Sequence, residues 1–295
     1  MINLIAEIGA NHDGNINLAK EMIDAAVQNG ANYVKFQSWK EEDLRQGPWD
    51  ENSGPFFHYK NKRDFYKTSQ LLDEQHYELI EYCKKQNVKF LTSCFTRDRV
   101  EFLSKLGLDS IKIAGCDSIS KSMINDLSKV FDRLIVSTGM TTNDEIIKLA
   151  DQLHDLENNF VLMHCVSMYP TPIEKVSLSR MNFIKELAYE SYDTVANLPC
   201  RSKSNGEFGI SDHSLGVNVP ITSITRGATW IEKHFTIDNE LPGPDNKMSI
   251  IPSELKTIRD FADDYEIMAN NDSQEVNPEE INLRKIIDGR FGDNS

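Results

Sequence analysis

Short apolar runs recur along this chain with amphipathic stretches between them, and that alternation restricts the possible folds more than any other feature. The runs are NLIAEIG (3–9), YVKFQ (33–37), KFLTSCF (89–95), SIKIAG (110–115), RLIVSTG (133–139), FVLMHCV (160–166), EFGISD (207–212) and TWIEKHF (229–235). They are mostly rich in Val, Ile and Phe, the composition of strands covered on both faces. The stretches between them have helical periodicity. In INLAKEMIDAAVQNG, Leu18, Met22, Ile23 and Ala26 share one face and Gly30 supplies a stop. DEQHYELIEYCKKQN and TTNDEIIKLADQLHDL read the same way, the second opening on Thr and Asn ahead of an acidic first turn. Eight βα repeats without a break in composition predict a (β/α)8 TIM barrel, with a doubly wound sheet as the alternative.

The 295 residues therefore divide into a barrel, expected over 1–268, and a polar, acidic tail or linker over 269–295. The connections 38–73 and 188–206 are too long for plain crossovers, and such loops in a compact domain are commonly functional or disordered. A net charge of −14 argues against a nucleic-acid partner, which would need a basic face. It leaves room for a small anionic substrate, because a few buried lysines can dominate a pocket. No apolar run reaches the ~18 residues of a membrane span, and MINLIAEIGANHDG lacks the basic start of a signal peptide. Cys83, Cys94, Cys116, Cys165 and Cys200 are odd in number and without CxxC spacing, which predicts reduced thiols in a cytoplasmic protein.

In a barrel, chemistry belongs at the C-terminal ends of the strands. Those ends carry Glu7, Asn11 and His12; Lys35 and Gln37; Thr92 and Ser93; Lys112 and Asp117; Ser137 and Thr138; Ser167 and Tyr169; Ser211, Asp212 and His213; and Glu232, Lys233 and His234. Lys35 and Lys112 interrupt otherwise apolar runs, and charges are seldom buried without a partner. Lysines as point charges with several hydroxyls as donors describe a pocket for a small polyanion. His213 and His234 end the seventh and eighth runs, so they would be neighbours on the rim. Paired imidazoles suit Mn²⁺, Zn²⁺ or Fe²⁺, but hydrogen-bonded rim histidines would have the same spacing. His12 follows the first strand within reach of a substrate, His164 reads as core, and His58, His76 and His154 read as surface.

AEIGANHDG, VKFQ, KIAGCD, STGM, YPTP, GISDHSLG, IEKHFT and GPDNKMS, in this order from about residue 2 to about residue 260, resemble the sialic acid synthase family. The resemblance implies condensation of phosphoenolpyruvate with an N-acetylmannosamine-type aldose to give a nine-carbon 2-keto-3-deoxy sugar acid. It implies His213 and His234 as ligands of a divalent metal, typically Mn²⁺, and Lys35 and Lys112 as the grip on phosphoenolpyruvate. Ser93, Ser137, Ser167 and Ser211 would complete the phosphate and carboxylate site. Glu7, Tyr169 and Asp245 would contact the open-chain sugar, and Asp117 matches an acidic position near metal-bound water.

The sequence departs from the family pattern in several places. TSCFT stands for the usual STPFD, so Ser93 replaces a threonine, Cys94 a proline and Thr96 an aspartate. Gly115 stands where a serine is common, at the expected cost of one phosphate contact, and Asn246 follows Asp245 in place of a histidine. Typical members form homodimers in which a C-terminal antifreeze-like module supplies an arginine to the partner's sugar site. The sequence up to Ser295 has no counterpart of that module, which leaves open whether it is a separate polypeptide, lost or removed. A synthase with a phosphorylated acceptor would need extra cations at the mouth, for which Arg45, Arg63 and Arg97 are the candidates, and an inactive binding barrel is the reading outside enzymes.

Overall fold

The computed structural model describes residues 1–44, 58–189, 206–271 and 273–288, with the backbone of 192–193 and 198–199. Arg45 and Cys200 lie outside the described residues. Eight parallel strands close a barrel: β1 (Asn3–Gly9), β2 (Tyr33–Ser38), β3 (Lys89–Cys94), β4 (Ser110–Ile113), β5 (Arg133–Ser137), β6 (Asn159–Cys165), β9 (Gly206–Asp212) and β10 (Trp230–His234). Between β6 and β9 the two-residue strands β7 (Tyr192–Asp193) and β8 (Leu198–Pro199) form an antiparallel pair. β1 pairs with β10, Glu7 opposite His234, which completes the ring. The predicted TIM barrel is the fold observed.

Strand alternation sorts each run into two environments. Outward side chains such as Leu4, Phe36, Ile113, Val136, Leu162, Ile210 and Ile231 pack in the large core shared with the helices. Inward side chains Ile5, Tyr33, Leu91, Ile135, Val161, Met163 and Trp230 form a separate apolar plug inside the barrel. At full burial each aliphatic side chain contributes ~1.5–3 kcal/mol, so this plug is a firm floor. The next inward positions toward the strand C-termini are polar, and they make the site.

The covering helices are α1 (Ile16–Gln28), α2 (Lys62–Ser69), α3 (Asp73–Lys85), α4 (Val100–Ser104), α5 (Lys121–Ser128), α6 (Asn143–Asp155), α7 (Leu178–Tyr189), α8 (Asn218–Thr225) and α9 (Pro252–Ala269). Asn15 caps α1 by accepting from the Asn17 and Leu18 amides, and Thr142 with Glu145 forms a capping box on α6. Gly30 ends the first repeat at φ +87°, and a Cβ there would come within 2.4 Å of Arg259 Cγ. On α1 the buried face is Ala19, Met22, Ile23 and Ala26, with Leu18 only partly covered.

Two histidines read as surface are core. His76 is fully buried on the face of α3 that it shares with Leu79, Ile80 and Cys83, against Phe90 and Phe102. His154 is buried against Phe160, with Nε2 2.9 Å from the Leu187 carbonyl. In each case one ring nitrogen meets a carbonyl, so a neutral imidazole can be buried. His164, expected in the core, is there, its Nε2 on the Val176 carbonyl. Among the described residues beyond α9 there is one regular element, α10 (Pro278–Ile287), whose side chains are all exposed. No helix among the described residues is long and apolar enough to cross a membrane.

Candidate active site

Above the apolar plug lie Glu7, Lys35, Ser93, Lys112, Ser137, Cys165, Ser211 and Glu232, all buried. Lys35 Nζ is 2.8 Å from Glu7 Oε2, 3.1 Å from Ser93 Oγ and 3.8 Å from Glu232 Oε1. Lys112 Nζ donates to Ser137 Oγ and also stands 3.8 Å from Glu232 Oε1. Glu232 is thus the shared counter-ion of both lysines, yet too far from either to take up its N–H groups. Only Ser137 takes an N–H of Lys112 among the described residues, so this ammonium keeps donors for a ligand.

Burial and ion pairing oppose each other here, and the balance differs residue by residue. Burial raises Glu7 to about 7 against the pull of Lys35. Burial would raise Glu232 too, but it faces both Lys112 and Lys35 and is held below the usual carboxylate range. Lys112 is lowered by burial, while for Lys35 the attraction of Glu232 and Glu7 outweighs burial and raises it. The pocket floor therefore sets two lysines against an ionised Glu232 and a Glu7 raised to about 7, a balance that favours an added anion when Glu7 is protonated.

His213 and His234 project inward at the ends of β9 and β10, their ring centroids 5.4 Å apart. His213 Nδ1 donates to the Val166 carbonyl at 2.9 Å, which leaves the Nε2 lone pair uncommitted. His234 Nδ1 is buried without a hydrogen bond, 3.8 Å from Asp245 Oδ2. Burial lowers both imidazoles, and His234 falls further beside His213 and Lys35, so both are neutral. Asp245 is raised to about 6 by burial, opposed by Lys35. Its loop is tied in place: Asn11 Nδ2 donates to Ser249 Oγ and to the Phe235 carbonyl, and Ser249 Oγ donates to the Asp245 carbonyl. Asn246 is fully buried as the hub of that loop, bonded to Thr236, Pro242 and Asn239.

Two neutral imidazoles with an uncommitted nitrogen each, beside Asp245, suit a borderline divalent cation. Among the described residues no group of three or more His, Cys, Asp or Glu side chains is placed to hold an ion. Any ion on the pair would complete its shell with water or substrate.

The other expected residues lie around this centre. Tyr169 packs against the His213 ring, centroids 4.2 Å apart and planes tilted by 38°, while leaving more than half its surface exposed. Ser211 Oγ donates to Glu232 Oε1 at 3.0 Å, so its proton is committed there. Ser167 is half-buried and packed against Gly139, where a Cβ would come within 2.2 Å of Ser167 Oγ. Asp117 ends the short turn after β4, half-buried, in contact with the Cys116 thiol. His12 is fully buried against Phe36, and burial lowers it to about 4. Arg63 pairs with Glu41 and Arg97 with Asp126, so two of the three candidate mouth cations already have carboxylate partners.

Spacing and resemblance assigned no role to Glu232, Gln37 or Cys165. Glu232 is central, Gln37 Nε2 donates to Glu7 Oε1 at 2.6 Å, and Cys165 Sγ lies 3.9 Å from His213 Nδ1. Alternation is the signal that would have found them, since each lies two residues from another inward polar side chain.

Fold and site together define a barrel enzyme with two buried lysines around Glu232 on its pocket floor. The chain belongs to the NeuB family, whose sequence model matches residues 22–274. It is 31% identical over 294 residues to the N,N'-diacetyllegionaminic acid synthase of Legionella pneumophila, covering 96% of this chain and 78% of that protein. The Campylobacter jejuni N,N'-diacetyllegionaminic acid synthase is 32% identical over 263 residues, covering 86% and 73%. Among solved structures, the N-acetylneuraminic acid synthetase of Leptospira borgpetersenii in complex with citrate superposes with a TM-score of 0.78 at 28% identity, covering 96% of this chain and 91% of that one.

Proposed function

We propose that this enzyme condenses phosphoenolpyruvate with an unphosphorylated N-acetylmannosamine-type aldose to form a nine-carbon 2-keto-3-deoxy sugar acid and phosphate. The observation that carries the reading is the pair of buried ammonium groups, Lys35 and Lys112, flanking Glu232 directly beside two neutral imidazoles. The partners already held by Arg63 and Arg97 favour an acceptor without a phosphate.

On this reading Lys35 and Lys112, with Ser93 and Ser137, hold the phosphate and carboxylate of phosphoenolpyruvate and stabilise their charge throughout. Glu7, Tyr169 and Asp245 orient the open-chain sugar so that its aldehyde carbon faces C3 of phosphoenolpyruvate. C3 bonds to that carbon, water adds at C2, and the C2–O bond breaks to release phosphate. Asp117, which matches the family's acidic position near the water, is assigned the role of taking its proton. His213 and His234 would hold a divalent cation, probed first with Mn²⁺, which when bound supplies Lewis-acid polarisation of the aldehyde. The test is phosphate release from phosphoenolpyruvate with N-acetylmannosamine, its 6-phosphate and a 2,4-diacetamido-trideoxyhexose, each with Mn²⁺ and with excess EDTA. Release is expected only with an acceptor and Mn²⁺ together. No release with any acceptor would count against the synthase reading, and full release in EDTA against the metal.

A further inference from the structure

The ends of β9 and β10 carry a second polar cluster on the opposite side of the sheet from the pocket. Ser211 and His213 point inward and Asp212 outward; Glu232 and His234 point inward and Lys233 outward. Asp212 and Lys233 are register partners, and their side chains form an ion pair of 2.9 Å. Lys233 Nζ also donates to the Ser214 carbonyl. Asp212 accepts from the Ser214 amide at 3.0 Å and from Ser214 Oγ at 2.8 Å. Asp212, Lys233 and Ser214 are all buried.

A buried ion pair contributes little net stability, since desolvation offsets most of the attraction. Its position gives a better account. Asp212 is bonded to His213 and Lys233 to His234, and the pair joins both strands to the turn at Ser214. Other contacts act on the rings or backbone nearby: the Val166 carbonyl holds the His213 ring, Tyr169 packs against both rings, and the Ile250 amide donates to the His234 backbone carbonyl. We propose that Asp212 and Lys233 are positioning residues that set the separation of the His213 and His234 imidazoles and so tune their joint grip on a divalent cation. This rests on the metal reading above.

The test uses Asp212→Leu/Lys233→Met, which removes both charges together so that neither is left unpaired, and Asp212→Asn, which keeps the shape. Mn²⁺ affinity is measured by electron paramagnetic resonance without substrates, alongside Tm and steady-state kinetics. The double variant is expected to fold with Tm near wild type, bind Mn²⁺ ~10–100-fold more weakly, as partners behind metal ligands typically require, and keep its KM for phosphoenolpyruvate at saturating Mn²⁺. Asp212→Asn is expected to fall between. Wild-type Mn²⁺ affinity in a folded double variant overturns the inference, and failure of both variants to fold does so by assigning the pair to stability. A wild-type protein that takes up no Mn²⁺ removes the metal reading itself, together with this inference.

Discussion

Lys35 and Lys112 are polar interruptions in apolar runs, and that is why they could be found from sequence: a lysine inside a strand covered on both faces needs a reason. Glu232 supplies that reason, lying 3.8 Å from each. Lys35→Ala and Lys112→Ala should each weaken phosphoenolpyruvate binding by about 1.5–3 kcal/mol, the scale of a hydrogen bond to a charged group, read as a rise in KM of roughly tenfold or more. Unchanged KM in both variants would refute the anion pocket. Glu232 is harder to read from sequence, because a glutamate at a strand end looks like any solvated charge until the strands beside it are in register. The commitment of the Ser211 proton to Glu232 is likewise a property of the register between β9 and β10 and is invisible in either run alone.

Strand and helix positions follow from periodicity, whereas the loops between them answer to contacts that sequence does not reveal. Gly115 shows this. A serine there would be expected to add a phosphate contact, yet a Cβ at Gly115 would lie 2.7 Å from the Gly139 carbonyl oxygen and 2.9 Å from its nitrogen. The loops after β4 and β5 meet backbone to backbone. Gly115→Ser should therefore lower Tm and raise KM for phosphoenolpyruvate rather than improve binding, and a tighter, equally stable variant would disprove the contact argument. His76 on α3, read as surface, is the opposite case: His76, Leu79, Ile80 and Cys83 repeat at helical spacing, and that periodicity marks it as core. Burial lowers it to about 4, with Arg99 pushing the same way and the Leu72 carbonyl and Asp73 opposing. Because the folded state prefers the neutral ring, stability is full above the unfolded value of ~6.5. It is lost as pH falls toward about 4, at up to ~1.4 kcal/mol per pH unit. In urea unfolding at pH 7, 6 and 5, His76→Leu should show a slope shallower by one proton, while parallel slopes would rule the linkage out.

Among the described residues the core lies in the barrel and its covering helices, and α10 adds none of it: every side chain on that helix is exposed. Ending the chain after Asn271 should leave Tm within about 2 °C of the full chain, since surface changes rarely exceed ~0.5 kcal/mol, and a larger fall would reveal a structural role for the tail. The ring itself was legible in sequence because eight similar repeats have few ways to bury both faces of every strand. Its closure has a further consequence, for synthesis. β1 has its hydrogen-bonding edge completed only by β10, so the first strand waits for Trp230–His234 to emerge. At ~5–20 residues per second, a ribosome leaves that edge open for roughly ten seconds or more. During this interval an apolar strand with unpaired amides is a template for the wrong partner. The nascent chain is at its most vulnerable before its last strand arrives, and chaperone demand during translation should track the delivery of β10 rather than the length of the chain.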